Sequence, residues 1–338
     1  MELFNNETAS HNAMPAILHE PISDEELSYL SLVLKLIVNP ALEVLGIFAN
    51  FINMAVFYKM GLSDGVTQNF FILSMSDCLI LAIALVNSIT YILQERIYAG
   101  KHPYVEIVHL ASFLATTFPQ TFSLIITVVI AVVRCCCVAM PLRVKYLLTA
   151  GRQLAAILVF STGALCMLMY AFAPLRVIYI HSERVNSTLP MFINLKWYAY
   201  TLFTNIFFNI GFVIVIICVI ILTISLNRSS KFRETSTSGA DVTKQTKEGR
   251  KEARVVKTVV FLCIIFILCY LPTMIFSIFG HVESEFSKTG FYRNANIFFL
   301  MFLEFSLMVN ANVNIFVYYL YNSRYRTVFR SMCGVKEQ

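Results

Sequence analysis

Residues 124–142 read LIITVVIAVVRCCCVAMPL, and the first ten of them decide the backbone. Leu124–Val133 is apolar on every side apart from Thr127. A membrane-barrel strand alternates lipid-facing and lumen-facing residues, and this stretch shows no such alternation. It reads as the end of a helix that begins near residue 105. An apolar run of about 20 residues crosses roughly 30 Å of hydrocarbon, and runs of that length recur along the chain. They lie near 33–58, 69–93, 105–133, 153–173, 199–226, 255–280 and 295–321. Pro40 and Glu43 interrupt the first; Glu304, Asn310, Asn312 and Asn314 interrupt the last.

Composition agrees. Of 338 residues, 58% are hydrophobic and 14% charged, with a mean hydropathy of +0.70. A soluble chain averages about 45–50% apolar and about 25% charged residues. A water-soluble globule cannot hide such an excess, which excludes a cytosolic enzyme, a nucleic-acid-binding module and a disordered chain. The expected architecture is an all-α membrane protein. Residues 33–321 form one seven-helix bundle, 1–32 an outer tail, and 322–338 a short helix and tail.

The loops give the orientation. Of 26 Lys and Arg, only Lys35, Arg96, Lys101, Arg176, Arg184, Lys196, Lys288 and Arg293 fall on the side of the N-terminus. The positive-inside rule puts the other side in the cytoplasm, so the N-terminus is outside. The net charge of +6 is then one-sided, facing anionic lipid and cytosolic partners rather than nucleic acid. Residues 1–32 lack the basic start and apolar core of a cleaved signal peptide. Asn6-Glu7-Thr8 and Asn186-Ser187-Thr188 are glycosylation triplets on outer segments; Asn227-Arg228-Ser229 lies on the inner side and should stay bare. The inner loop 227–254, polar and rich in Ser, Thr and Lys, is expected to be mobile.

None of the nine cysteines lies in an outer loop, so no disulfide is expected in the oxidising compartment. The triplet Cys135–Cys137 does not suit a metal, because consecutive helical residues diverge while metal ligands converge. Packing or lipidation is the better reading.

Charge at mid-bilayer costs about 2.5–3.5 kcal/mol on the insertion scale, so polar groups inside the spans point to function. Asp77 is the deepest acid, with Asn50, Ser123, Asn310 and Asn314 at similar depth. Two readings stand equal. A carboxylate among neutral oxygens suits a small cation; the same groups can instead be a hydrogen-bonded knot between helices.

In order along the chain, Asn50, Leu73-Ser74-Met75-Ser76-Asp77, Arg134 with Pro141-Leu142, Cys269-Tyr270-Leu271-Pro272 and Asn314-Ile315-Phe316-Val317-Tyr318 resemble the motifs of the rhodopsin-like (class A) G-protein-coupled receptors. The resemblance covers all seven spans. The departures mark a divergent member. Val133 stands for the acid beside the arginine, Tyr270 for tryptophan and Ile315 for proline. His109 stands for the span 3 cysteine, and span 4 has no tryptophan.

The resemblance implies a multi-pass plasma-membrane receptor that binds an extracellular ligand, activates a heterotrimeric G protein and is not an enzyme. Its outer pocket would be lined by Asn87, Tyr91, Thr116, Gln120, Tyr270, Ser277 and Glu304. No aminergic aspartate is present in span 3; Glu304 would meet a positive group on a peptide or small molecule. Asp77, Ser123, Asn310 and Asn314 match the family's sodium pocket, and no other cofactor is implied. Arg134, Glu252, Phe266, Pro272 and Tyr318 match its switch positions, with Arg134 and Glu252 as an inner lock. Tyr321, Tyr325, Val328, Phe329 and Met332 recur at helical period with arginines between them, a basic amphipathic helix that matches the family's eighth. Cys333 at its end is the candidate for lipidation. A transporter or channel using the intramembrane acids is the rival reading; it predicts repeated halves, and none is visible.

Overall fold

The computed structural model describes residues 21–96, 103–139, 148–173, 175–182, 187–194, 197–235, 243–282, 285–286 and 291–334. Seven of its helices are long and apolar enough to cross a membrane. They are α1 (Asp24–Met60), α2 (Gly65–Arg96), α3 (Pro103–Ala139), α4 (Ala150–Phe172), α5 (Trp197–Thr235), α6 (Thr243–Val282) and α7 (Arg293–Tyr321). A short α8 (Ser323–Met332) follows. Helix α1 packs on α2 and α7, α2 on α3, α6 on α5 and α7, while α3 touches α2, α4, α5 and α6. The bundle thus closes on itself around α3.

Helix α1 starts well before the first apolar run. Ser23 and Glu26 form a capping box: Ser23 Oγ accepts from the Glu26 amide (3.2 Å), and Glu26 Oε2 accepts from the Ser23 amide (2.9 Å). Asp24, Glu25 and Glu26 place negative charge at the positive end of the helix dipole. Pro40 does not break this helix. One widened π turn, Leu34–Val38, precedes it; such a turn absorbs the missing N–H and the crowding of the ring on the preceding turn. Gly46 allows α1 its close approach to α2 and α7, since a Cβ there would lie 2.6 Å from Leu81 and 2.7 Å from Asn312.

Two features depart from the sequence reading. The connection between α4 and α5 holds an antiparallel hairpin, β1 (Leu175–Ser182) and β2 (Ser187–Asn194), in register from Leu175↔Asn194 to Ser182↔Ser187. The stretch 227–254, read as a mobile loop, is helical to Thr235 and again from Thr243. Its Lys, Arg, Glu and Gln are good helix formers; polarity reports solvation and leaves the backbone state open.

Candidate functional site

The deepest polar residues converge from three helices. Asp77 on α2 is buried; its Oδ1 accepts from Ser123 Oγ on α3 (3.2 Å) and its Oδ2 from Asn314 Nδ2 on α7 (2.7 Å). The residue before it on α2, Ser76, donates from Oγ to the carbonyl of Pro119 on α3 (2.8 Å). Asn50 on α1 donates from Nδ2 to its own helix at Gly46 (2.9 Å) and across to Ala311 on α7 (2.9 Å). Asn310 is half-buried and, with Asn314, borders a small internal cavity that also touches Thr127, Cys263 and Phe266.

A carboxylate, a hydroxyl and two amide side chains are the hard-oxygen donor set of a small cation. Asn314 turns its NH₂ toward Asp77, but the two ends of an amide exchange by a simple flip. These residues fit the sodium ion that the resemblance implies.

Aromatic rings occupy the next layers. Tyr270 is buried on α6, its ring 4.3 Å from that of Phe266 and 6.1 Å from that of Phe208 on α5. Pro272 lies within α6, which continues through it. Toward the Arg134 end, Tyr318 is fully buried. Its ring meets Phe57 edge-on at 4.9 Å and Phe70 at 5.0 Å. Arg134 is half-buried at the end of α3, and its neighbour Cys135 donates from Sγ to the Cys218 carbonyl on α5 (3.4 Å). Glu252 lies on α6, but its side chain falls outside the described residues, as do Asn6 and Asn186 entirely. Cys333 is exposed just past α8.

At the opposite end, the one that carries Asp24, the anticipated pocket residues spread over four helices. Asn87 and Tyr91 on α2, Thr116 and Gln120 on α3 and Ser277 on α6 are half-buried, and the side chain of Glu304 on α7 is exposed at the surface of the bundle. Thr116 Oγ1 donates to Ser112 O (3.0 Å). The ammonium of Lys35 lies 4.6 Å above the Tyr91 ring.

Three groups escaped the sequence reading. Glu43 on α1, treated there only as an interruption, is completely buried and accepts from Ser88 Oγ (2.9 Å). Asn53 Oδ1 accepts from Tyr325 OH on α8 (2.6 Å). Asn69 Nδ2 donates to Gln153 Oε1 between α2 and α4 (2.7 Å). Helical period held the first two in plain view: Lys35, Asn39, Glu43, Gly46, Asn50 and Asn53 advance by three or four and make one continuous inward stripe on α1.

Seven membrane-crossing helices around a polar centre define a receptor-type bundle. The family model for the 7 transmembrane receptor (rhodopsin family) matches residues 50–318, and the chain belongs to that family. No curated protein matches the chain.

Proposed function

We propose that the protein is a plasma-membrane receptor, binding an extracellular ligand at the Asp24 end and activating a heterotrimeric G protein at the Arg134 end. The observation that supports it is the Asp77–Ser123–Asn314 junction. It ties α2, α3 and α7 together midway between a half lined by polar side chains and the end that carries Arg134. A ligand that favours one arrangement of such a junction shifts the population of the whole bundle.

In this reading Asn87, Tyr91, Thr116, Gln120, Tyr270 and Ser277 contact the ligand, and Glu304 meets a positive group on a peptide or small molecule. A sodium ion at Asp77 and Ser123 stabilises the resting state. Arg134 pairs with Glu252 at rest, and Phe266, Pro272 and Tyr318 move when the pair opens. Glycans sit at Asn6 and Asn186, and a lipid at Cys333. A transporter would build its site from broken helices in repeated halves, whereas each described span here is one continuous helix.

The test is G-protein activation in cells, screened with peptides and amines, in wild type and Arg134→Ala. A wild-type response lost in surface-expressed Arg134→Ala supports the reading. A response that survives the substitution removes Arg134 from the coupling machinery.

A further inference from the structure

Helix α1 presents a polar stripe to the bundle, and its two halves differ. The deeper half is satisfied: Asn50 bonds to Gly46 and Ala311, and Asn53 lies 3.5 Å from Asn50 and accepts from Tyr325. The half nearer Asp24 is not. Glu43 has 0% exposure, yet only Oε1 is bonded, to Ser88; Oε2 has no partner. Asn39, one turn away at 3% exposure, has an unpartnered Oδ1. Asn87, next to Ser88 on α2, has another.

As placed, all three orphaned atoms are acceptors, and the Glu43 oxygen is one whichever way the amides of Asn39 and Asn87 are turned. Buried polar atoms without partners are rare and call for an explanation, and what these lack is a set of donors. Charge points the same way. Glu304 on α7 is close enough to Glu43 to act on it electrostatically, and Lys35 to act on Glu304. Glu304 thus interacts with both the Glu43 carboxyl and the Lys35 ammonium, and that ammonium is held over the face of Tyr91. The acids here outnumber the lysine two to one, and the Glu304 side chain is exposed at the surface of the bundle.

We infer that Glu43, Glu304 and Asn39 form a cation subsite between α1, α2 and α7 that takes a guanidinium or primary ammonium. The inference rests on the receptor reading for its role: the group belongs to the ligand, and Glu304 receives it at the mouth with Glu43 behind. A guanidinium carries five N–H donors in a planar fork and an ammonium three, enough for the orphaned oxygens of Glu43 and Asn39. A quaternary ammonium has no N–H and leaves them unpaired. Lys35, already at the rim, is the competitor that such a group displaces.

The test uses the full chain purified in detergent, with agmatine as the probe and N-butylurea and sodium chloride as controls, read as thermal stabilisation. Agmatine should stabilise the wild type more than either control. Glu304→Gln, isosteric at an exposed position, and Glu43→Gln, isosteric but buried, should each weaken its apparent affinity about tenfold or more. Lys35→Gln should strengthen it, an effect a purely structural lysine would not produce. Should Glu43→Gln fail to fold, Glu304→Gln and Lys35→Gln still decide. Equal stabilisation by N-butylurea or by salt alone overturns the subsite, as does an unchanged agmatine affinity in both Glu304→Gln and Lys35→Gln. Binding is read here without any G protein. A chain that binds agmatine by these rules but never activates a G protein sinks the receptor reading and leaves the subsite standing.

Discussion

Asp77 holds two hydrogen bonds from two different helices, and neither donor carries charge. A buried carboxylate satisfied only by neutral donors can still recruit a cation. A sodium ion bound there would favour the arrangement in which α2, α3 and α7 are tied together. Agonist affinity in wild-type membranes should therefore fall as sodium chloride replaces choline chloride at constant ionic strength, and stay flat in Asp77→Asn. The same slope in both would leave Asp77 as a hydrogen-bonded junction and nothing more. At the Arg134 end, the adjacent acid of the family is Val133 in this chain. Glu252 stands twenty residues before Pro272, about 30 Å along a helix, which brings its level to the edge of the hydrocarbon layer on the Arg134 side. Glu252→Gln should raise basal G-protein signalling. An unchanged basal level at equal surface expression would remove Glu252 as the resting partner of Arg134.

At the scale of elements, α8 is fastened to α1 by bonds that its own sequence pattern only half reveals. The apolar stripe from Tyr321 to Met332 shows that the segment is an amphipathic helix; it does not show what the helix docks on. In the structure Asn322 caps it by accepting from the Tyr325 amide (3.1 Å), and Arg324 Nη2 donates to Met60 O at the end of α1 (2.6 Å). The Tyr325 ring packs 5.2 Å from Phe57 and 5.6 Å from Tyr318, and its hydroxyl donates to Asn53. Burial pushes the Tyr325 phenol above its ordinary value, so it remains a donor throughout the physiological range. Tyr325→Phe, which restores the residue usual in the family, keeps the rings and deletes the bond. It should cost about 1–2 kcal/mol, including the orphaned Asn53 oxygen, seen as a lower melting temperature of the purified protein. A variant as stable as wild type would mean that the rings alone hold α8. Helix α7 makes the complementary case: Ile315 replaces the family's proline, and the helix runs from Arg293 to Tyr321 without a break.

At the scale of the whole molecule, the seven spans are legible because lipid leaves the backbone no alternative. Every N–H and C=O must be paired inside the protein, and a long apolar run without a strand's alternation can do that only as a helix. Where water is available that constraint lapses, and so does legibility. The polar start of α1 at Ser23, the polar extensions of α5 to Thr235 and of α6 from Thr243, and the hairpin β1–β2 were all missed for that reason. The hairpin carries a clue in the β-branched and aromatic run Val177-Ile178-Tyr179-Ile180, but its connection, 183–186, has no glycine to mark a turn. Within the site, Asp77, Ser123 and Asn314 were readable because the family's motifs flag them. Glu43 was not, since one acid in an apolar run looks like a defect until its period with Asn39 and Asn50 is counted.

Orientation is a property of the whole chain, and charge asymmetry is its only sequence signal. Eight of the 26 basic residues fall on the N-terminal side, and a bias of that size sets topology when the loops are short. The bias makes a covalent prediction, because glycosylation reaches only the outer side. Asn6 and Asn186 should carry glycans, whereas Asn227, in an equally good triplet on the basic side, should not. Digestion with an N-glycosidase should shift the wild-type band on a denaturing gel. Asn6→Gln and Asn186→Gln should each shrink that shift, and the double variant should abolish it. Asn227→Gln should leave it untouched. A shift that survives the double variant but disappears with Asn227→Gln would turn the molecule over in the membrane. The Arg134 end would then face outward, and the direction of signalling proposed here would fail with it.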